Sequence, residues 1–423
     1  MPSVFRLAGV LLLGQPQKSN PTPASGLLHY TLPPDKLAQA YALYRIDVSL
    51  YFITTLYVFL VLWLMLRTHY GVRLRDFAER LSRFWLARAT MVIALFFLTL
   101  EVLQLPFSLY RHHISLQYGL SVQQWGSWFG DWAKGLGLDL VVAVFLGWTL
   151  YGMLRRSPRR WWFYFWLATI PFLLFGIFIQ PILIDPLFNK FEPLTDHNPE
   201  LVEQIERVVH RAGMEIPPSR MFEMKASEKT TELNAYVTGF GSSKRVVVWD
   251  TTTRHMTTPQ TLFVFGHEMG HYVLQHLVKG FVITVGLLLV FSYISYRIAN
   301  WLMRRNGNEW GLHGLSDFAS APMLLLILYV LSFIGEPAFN AISRHFEHQA
   351  DQYGLEVIHG LVPDSGRTAA ESFQILGERS LDYPYVGKFA ETWLWSHPTI
   401  ADREIFVQTY DPWAEGEQPE FVK

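Results

Sequence analysis

The chain of 423 residues contains no cysteine. This absence excludes disulfides, iron–sulfur clusters, thiolate zinc sites and cysteine nucleophiles. Charge is also scarce, because only 17% of the residues are Asp, Glu, Lys or Arg, against about 25% in ordinary soluble domains. The formal net charge of -1 argues against a nucleic-acid partner bound through its phosphates. With half of its residues hydrophobic, the chain has the composition of a membrane protein.

Long apolar runs recur along the chain, and six of them approach or exceed the roughly 20 residues of helix that cross a bilayer. They cover Ser49–Leu66, Ala89–Tyr110, Leu136–Leu154, Trp161–Ile184, Gly280–Met303 and Phe318–Phe339. We therefore predict a mainly α fold, a multi-span transmembrane helical bundle. Residues 1–48 precede the first run: the opening MPSVFRLAGVLLLG is typical of a signal peptide or a short anchor, and a polar, Pro-rich linker follows it.

The two parts of the chain outside the membrane are predicted to form the working head. Residues 49–187 carry the first four spans, and residues 188–277 form a small α+β insert that ends in a motif-bearing helix. Three strand-like pieces lie in the insert, SRMFEMKAS, NAYVTGF and KRVVVWD, and GSS between the last two is a hairpin signal. Residues 278–340 carry the last two spans, and a C-terminal helical region occupies residues 341–423.

Arginines suggest an orientation for this head. They follow the first, third and fifth spans, at positions such as Arg73, Arg156 and Arg305. If the spans alternate in direction, these loops share one side, and the positive-inside rule makes that side cytoplasmic. The insert and the C-terminal region then share the opposite, non-cytoplasmic side of an integral multi-pass protein.

The sequence HEMGH carries the chemistry. His267 and His271 stand four residues apart, so both imidazoles can reach one ion from a single helix face. Such a pair suits Zn²⁺, and a third ligand leaves one position for water, whose pKa the metal lowers towards about 7. Glu268 is then placed as the general base. Glu347 in SRHFEHQAD is the best third ligand, with Asp351 four residues later able to orient a histidine ligand. His276 lies off the metal face and is interpreted as a polar surface or interface residue.

Several linked motifs carry a family resemblance. The segment GHEMGH is followed by two spans and then by NAISRHFEHQAD, and LPFSLYRHHISLQYGLSVQQ, IDPLFNKFEPL, NAYVTGF and SHPTIADR occur elsewhere in the chain. In this order they resemble the CAAX prenyl protease 1 family, integral-membrane zinc metalloendopeptidases of the H-E-x-x-H gluzincin type. The resemblance implies a helical bundle enclosing a chamber, one zinc ion per chain held by His267, His271 and Glu347, and peptide substrates that can be lipidated.

The same resemblance implies roles for residues outside the metal motif. Asn234, Ala235 and Tyr236 would bind the substrate backbone, while His397 and Arg403 would lie near the developing oxyanion. The residues alone leave alternatives open: Asn234 can shape a turn, His397 can mark a loop before Pro398, and Arg403 can pair with an acid. We further predict that a substrate adds as a strand beside KRVVVWD.

Two departures from the family bear on function. The family usually has seven spans, whereas six runs are long enough here, and the arginines place the head outside the cytoplasm. We therefore predict a membrane-embedded, zinc-dependent endopeptidase that cleaves extended peptides at the bilayer boundary. One alternative is a membrane-protein quality-control protease that uses no prenylated substrate. Another is a transport or scaffold protein in which zinc is structural.

Overall fold

The computed structural model describes residues 27–239 and 244–422. The signal-like segment, the Pro-rich linker and the GSS loop lie outside the described residues. Residues 34–188 are mostly helical, and short loops join the helices. Its helices are α1 (Pro34–Arg67), α2 (Tyr70–Leu81), α3 (Trp85–Gln117), α4 (Trp125–Arg156), α5 (Trp161–Ile179) and, after a π-helical turn at Gln180–Ile184, α6 (Asp185–Phe188).

The head alternates short strands and helices before the chain returns to the membrane. Its elements are β1 (Phe191–Pro193), α7 (Leu194–His197), α8 (Pro199–Arg211), β2 (Met221–Met224), β3 (Ala235–Thr238), β4 (Arg245–Trp249), α9 (Asp250–His255) and α10 (Thr258–Val273). The later helices are α11 (His276–Asn306), α12 (Ala321–Ile358), α13 (Ser365–Ser380), α14 (Lys388–Leu394) and α15 (Ile400–Thr409).

Six helical segments of the described chain are long and apolar enough to cross a membrane, which confirms the mainly α, multi-span prediction. Two of them extend well beyond their apolar runs. Helix α1 begins at Pro34, a residue suited to a first helical turn, and its early residues Leu37, Ala40 and Leu43 pack on the C-terminal region rather than on lipid. Helix α12 continues from the sixth span without a break and carries Glu347 on its second half.

The four strands form one sheet in the order β1-β2-β4-β3. Strand β4 pairs in parallel with β2 and antiparallel with β3, Tyr236 standing opposite Val247. The residues of KRVVVWD thus form a central strand with a neighbour on each side, and our prediction that a substrate adds beside it is wrong. The edge strands of the described sheet are β1 and β3, so NAYVTGF in β3 has an open edge on the side away from KRVVVWD.

One hydrophobic core joins the insert to the C-terminal region. Residues of α8, β4 and α10 pack there with the second half of α12 and with α13 and α15, among them Ile205, Val248, Phe265, Val357 and Phe373. Two segments separated by two membrane spans therefore fold as a single head. This arrangement brings the two halves of the predicted metal site to the same side of the bundle.

Candidate active site

Helix α10 starts at a sequence-encoded signal. Thr257 and Gln260 form a capping box: the Thr257 hydroxyl accepts from the Gln260 amide N–H, and the Gln260 side chain accepts from the Thr257 N–H at 3.0 Å. The apolar residues that follow, including Phe263 and Phe265, are buried in the head core. The first turns of α10 therefore fix the helix in the core, and the histidine motif follows on the anchored helix.

Helices α10 and α12 approach each other closely at two glycines. A Cβ at Gly270 would lie 2.9 Å from Cβ of Tyr353 and 3.1 Å from Cα of Ala350, and a Cβ at Gly354 would lie 3.0 Å from the backbone nitrogen of His267. Any side chain at either position would push the helices apart. The small residues thus allow the histidines of α10 to meet Glu347 of α12.

The three predicted metal ligands converge. The Nε2 atom of His267 lies 3.4 Å from Oε2 of Glu347, and Nε2 of His271 lies 3.5 Å from Oε1 of the same carboxylate. The two Nε2 atoms are 3.1 Å apart. One donor atom from each residue falls within 4.8 Å of the others. The residues could therefore share one ion.

Asp351 and Arg403 support His267 from behind. Nδ1 of His267 is 2.8 Å from Oδ1 of Asp351, so the histidine donates from Nδ1 and leaves the Nε2 lone pair for a metal. Arg403 donates to both Asp351 oxygens, at 2.6 and 2.8 Å, and its Nη2 lies 3.6 Å from Glu347. The guanidinium therefore contacts the histidine's partner more closely than the ligand carboxylate, and a place near an oxyanion stays a prediction.

A cavity of about 150 Å³ opens on this cluster. Glu268, Asn234, His397 and Arg403 line it together with His267 and Glu347, and its apolar wall consists of Leu233, Phe263, Val264, Phe373 and Leu376. Desolvation raises the pKa of the Glu268 carboxyl to about 7, and the nearby Glu347 carboxylate adds to the rise while Arg403 opposes it. His397 directs Nε2 at Oε1 of Glu347 from 3.3 Å. The cleft thus combines candidate metal ligands, a candidate general base (Glu268) and two hydrogen-bond donors (His397 and Arg403).

The three predicted substrate-binding residues differ in position. Asn234 lines the cavity, and its Oδ1 accepts from the Ala235 N–H at 2.8 Å. The Ala235 side chain is buried in the head core, and the Tyr236 side chain hydrogen-bonds with Asp185, which pairs with Arg245 at 3.0 Å. Only Asn234 of the three presents its side chain to the cleft, so for Ala235 and Tyr236 a role rests on their backbone and stays a prediction.

His276, predicted to be a polar surface or interface residue, lies buried between α11 and α12. It is 4% exposed, and its Nδ1 lies 3.1 Å from Nδ1 of His271. Helix α10 ends at Val273, and Gln275 adopts a left-handed conformation with φ 58° before α11 begins at His276. His276 is outside the group of candidate metal ligands, as its spacing predicts, but the interrupted helix brings it against His271. No glycine marks the break in the sequence, which therefore carried no signal for it.

Comparison with known proteins now places the chain. Residues 195–409 match the model of Peptidase family M48, and residues 17–190 match that of the CAAX prenyl protease N-terminal region, five membrane helices. The chain belongs to peptidase family M48. The predicted relation to the CAAX prenyl protease 1 family is confirmed, and the chain is a membrane metalloprotease of that type.

Relatives and a solved structure extend over much of the molecule. The "Uncharacterized metalloprotease YhfN" of Bacillus subtilis is 33% identical over 373 residues, 88% of this chain and 85% of the relative. The "CAAX prenyl protease 1 homolog" of Dictyostelium discoideum is 29% identical over 64% of this chain and 59% of its own length. The crystal structure of S. mikatae Ste24p has a TM-score of 0.75 at 21% identity, covering 89% of each chain, and shows the shared fold.

Proposed function

We propose that the protein is a zinc-dependent endopeptidase that cleaves extended peptide segments at the bilayer boundary. One observation carries the proposal: His267, His271 and Glu347 converge within 4.8 Å, and two of them, His267 and Glu347, line a cleft together with Glu268. The helix bearing Glu347 is continuous with a membrane span, and α11 begins two residues after α10. The site is thus attached directly to two spans of the bundle.

The donor set fits zinc. Two imidazoles and one carboxylate are the protein ligands of many catalytic zinc sites, which keep a fourth position open. Oε2 of Glu347 is buried and has no hydrogen-bond partner within the described ranges, as expected of an oxygen reserved for a cation. Zinc would supply Lewis-acid chemistry, lowering the pKa of a water and polarising the scissile carbonyl.

The protein's own groups would move the protons and hold the geometry. Glu268 takes a proton from the attacking water and passes it to the leaving amine, which breaks the C–N bond and yields a carboxylate and an amine. Asp351, held by Arg403, keeps His267 in the Nδ1–H tautomer. His397, which lines the same cleft, would donate to the oxygen that becomes negative during attack.

The substrate would lie along β3. The Trp249 N–H donates to the Asn234 carbonyl, so alternation along the strand turns the backbone of Ala235 and Val237 away from β4, towards the open edge. Oδ1 of Asn234 accepts from the Ala235 N–H there, and a substrate strand would take its place. An extended peptide can add there as a further strand, with Asn234 at the junction between edge and cleft. The pairing requires an unfolded segment and no particular side chain.

A comparison of wild type with Glu268→Gln in detergent tests the activity. The substitution keeps shape and ligands, so we expect unchanged zinc content and a loss of peptide cleavage on the order of 10²- to 10⁴-fold. Glu371→Gln is the matched control, since Glu371 pairs with Arg367 on the exposed face of α13. Full cleavage by Glu268→Gln would refute the proposal.

Two matched peptides separate the substrate classes. A farnesylated peptide and its unmodified twin are compared at equal concentration with wild type. Cleavage of the farnesylated peptide alone would place the substrates with those implied by the names of the relatives. Equal cleavage of both supports a general protease of membrane-bound or secreted chains, and cleavage of neither by a zinc-loaded protein favours structural zinc.

We also propose that the head lies on the non-cytoplasmic side. Because the chain has no cysteine, single cysteines report accessibility without background. An impermeant maleimide added to intact cells is expected to label Glu200→Cys in the head and to spare Asn308→Cys in the loop between α11 and α12. The reverse pattern would invert the orientation.

A further inference from the structure

The second histidine of the motif has a support of its own. Nε2 of His271 faces Nε2 of His267 and Glu347, so its other ring nitrogen, Nδ1, points away from the cluster. That Nδ1 lies 3.1 Å from Nδ1 of His276. A metal-binding histidine normally donates its second N–H to a fixed acceptor, which sets the tautomer and the ring orientation. For His267 the acceptor is Asp351; for His271 the position is occupied by His276.

The direction of this hydrogen bond follows from the next partner. Nε2 of His276 lies 3.1 Å from Oε1 of Gln349. An amide oxygen only accepts, so Nε2 of His276 carries the proton and its Nδ1 is the acceptor. His271 must then be protonated on Nδ1, and its Nε2 presents a lone pair to the cluster. The chain Gln349, His276, His271 thus sets the same tautomer that Asp351 sets in His267.

The His276 ring is held in place by its surroundings. It stacks on Phe346 with centroids 4.4 Å apart and an interplanar angle of 7°, and it is buried. The turn before His276 requires Gln275 to adopt a left-handed backbone conformation, which is unfavourable for residues other than glycine. Phe346 and Gln349 flank Glu347 on α12, so the turn at Gln275 ties the start of α11 to the helix that carries the third ligand.

We infer that His276 is a positioning residue, which holds the His271 imidazole in the tautomer and orientation that present Nε2 to the metal. The inference rests on the proposed function, because it takes His271 as a ligand. Both histidine ligands would then have a hydrogen-bond acceptor at Nδ1, but the two acceptors differ. For His267 it is the Asp351 carboxylate, and for His271 it is the neutral His276 imidazole, which itself donates to the Gln349 amide oxygen.

Zinc affinity of the purified full chain, measured by competition with a chelator, tests the inference. In His276→Phe the stacking ring remains while the acceptor is lost, and we expect a weakening of about 10- to 100-fold. His348→Phe is the matched control: the His348 ring also contacts an aromatic ring, that of Phe406, with centroids 4.1 Å apart and planes tilted by 48°, and this variant should keep wild-type affinity. Wild-type affinity in His276→Phe would overturn the inference.

The melting temperature of the metal-free protein shows whether His276→Phe folds. A second pair of variants tests the inference in case it does not. Gln349→Leu removes the oxygen that fixes His276, whereas Gln349→Glu keeps an acceptor, so only the first should weaken zinc binding. Equal affinity in both would overturn the inference even if His276→Phe misfolds. His271→Ala separates the two levels: if it binds zinc like wild type, the proposed metal site fails, and with it the reason to invoke His276.

Discussion

Helices α10 and α11 follow each other with only Leu274 and Gln275 between them, yet their apolar residues face opposite surroundings. Ten of the sixteen residues of α10 are buried in the protein, whereas only His276 and Ala299 are buried along the 31 residues of α11. The most apolar window of α11 has no buried residue. Apolar side chains therefore build a rigid protein core in the first helix and a surface for lipid in the second.

The difference explains how one segment carries both a metal motif and a membrane span. The histidines must be held in fixed positions, and α10 holds them because most of its residues are buried in the head. The span needs only a lipid-compatible face, and α11 supplies it. The left-handed turn at Gln275 separates the two tasks and places His276 against His271.

Removal of the metal should give the largest difference in stability between the head and the membrane helices. A ligand present at a thousand times its dissociation constant stabilises the folded state by about 4 kcal/mol, and the candidate ligands join α10 to α12 within the head. We expect a chelator to open the head to limited proteolysis while far-ultraviolet circular dichroism still reports intact membrane helices. His271→Ala should show no further response to the chelator. Loss of helicity in step with proteolysis would mean that head and spans unfold as one unit.

A matched pair of leucines tests the two kinds of burial. Leu262 of α10 is 2% exposed, and Leu277 of α11 is 49% exposed. Leu262→Ala leaves a cavity in the core and should lower the free energy of unfolding by about 3–4 kcal/mol. Leu277→Ala leaves no closed cavity, because the side chain is half exposed, and should change the free energy of unfolding by less than about 0.5 kcal/mol. Thermal melting in detergent measures both, and equal losses would show that Leu277 is packed as tightly as Leu262.

The membrane part and the head each contain a glutamate in an apolar region, and the two can be compared. In the membrane part, the Glu336 carboxylate accepts from the Tyr51 hydroxyl. In the head, Glu404 of α15 is 1% exposed, and burial outweighs the backbone hydrogen bond from Tyr30. Burial raises the pKa of Glu404 to about 7.

The sign of the resulting pH dependence follows from linkage. Below the unfolded pKa of 4.5 both states are protonated and the head keeps its full stability. As the pH rises through about 7, the unfolded state has already released its proton, so stability falls, by about 3 kcal/mol in all. Glu404→Gln should lack this component, and the difference in melting temperature between wild type and variant should grow from pH 5 to pH 8. A constant difference would contradict the raised pKa.

The parts of the fold that local sequence patterns determine could be predicted. Six apolar runs gave six membrane helices, and H-E-x-x-H with Glu347 two spans later gave the cluster, since an even number of crossings returns the chain to the same side. The short strand segments also appear in the sheet. Each of these predictions depends on a local pattern, such as hydropathy, spacing or motif, that needs no knowledge of packing.

What the sequence did not reveal depends on contacts between distant segments. Strand order cannot be read from a strand's composition, so KRVVVWD was taken for an edge although β2 and β3 cover both of its sides. The first residues of α1 lack a continuous apolar run because they pack on the C-terminal region. His276 was missed because no glycine or proline announces the turn at Gln275.

Two glycines give the smallest and sharpest comparison. A Cβ at Gly270 would meet Cβ of Tyr353 at 2.9 Å and the backbone of Ala350 at 3.1 Å. A Cβ at Gly286 of α11 would have no described atom within 4 Å apart from its chain neighbours and the backbone of its own helix. Gly270→Ala should separate α10 from α12, lower the free energy of unfolding by about 2 kcal/mol and weaken zinc binding, because the histidines move away from Glu347. Gly286→Ala should be neutral or slightly stabilising, since alanine favours helix more than glycine does. Thermal melting and zinc competition on both proteins decide the point. If Gly270→Ala keeps wild-type stability and affinity, the close approach of the two helices is not what holds the site together.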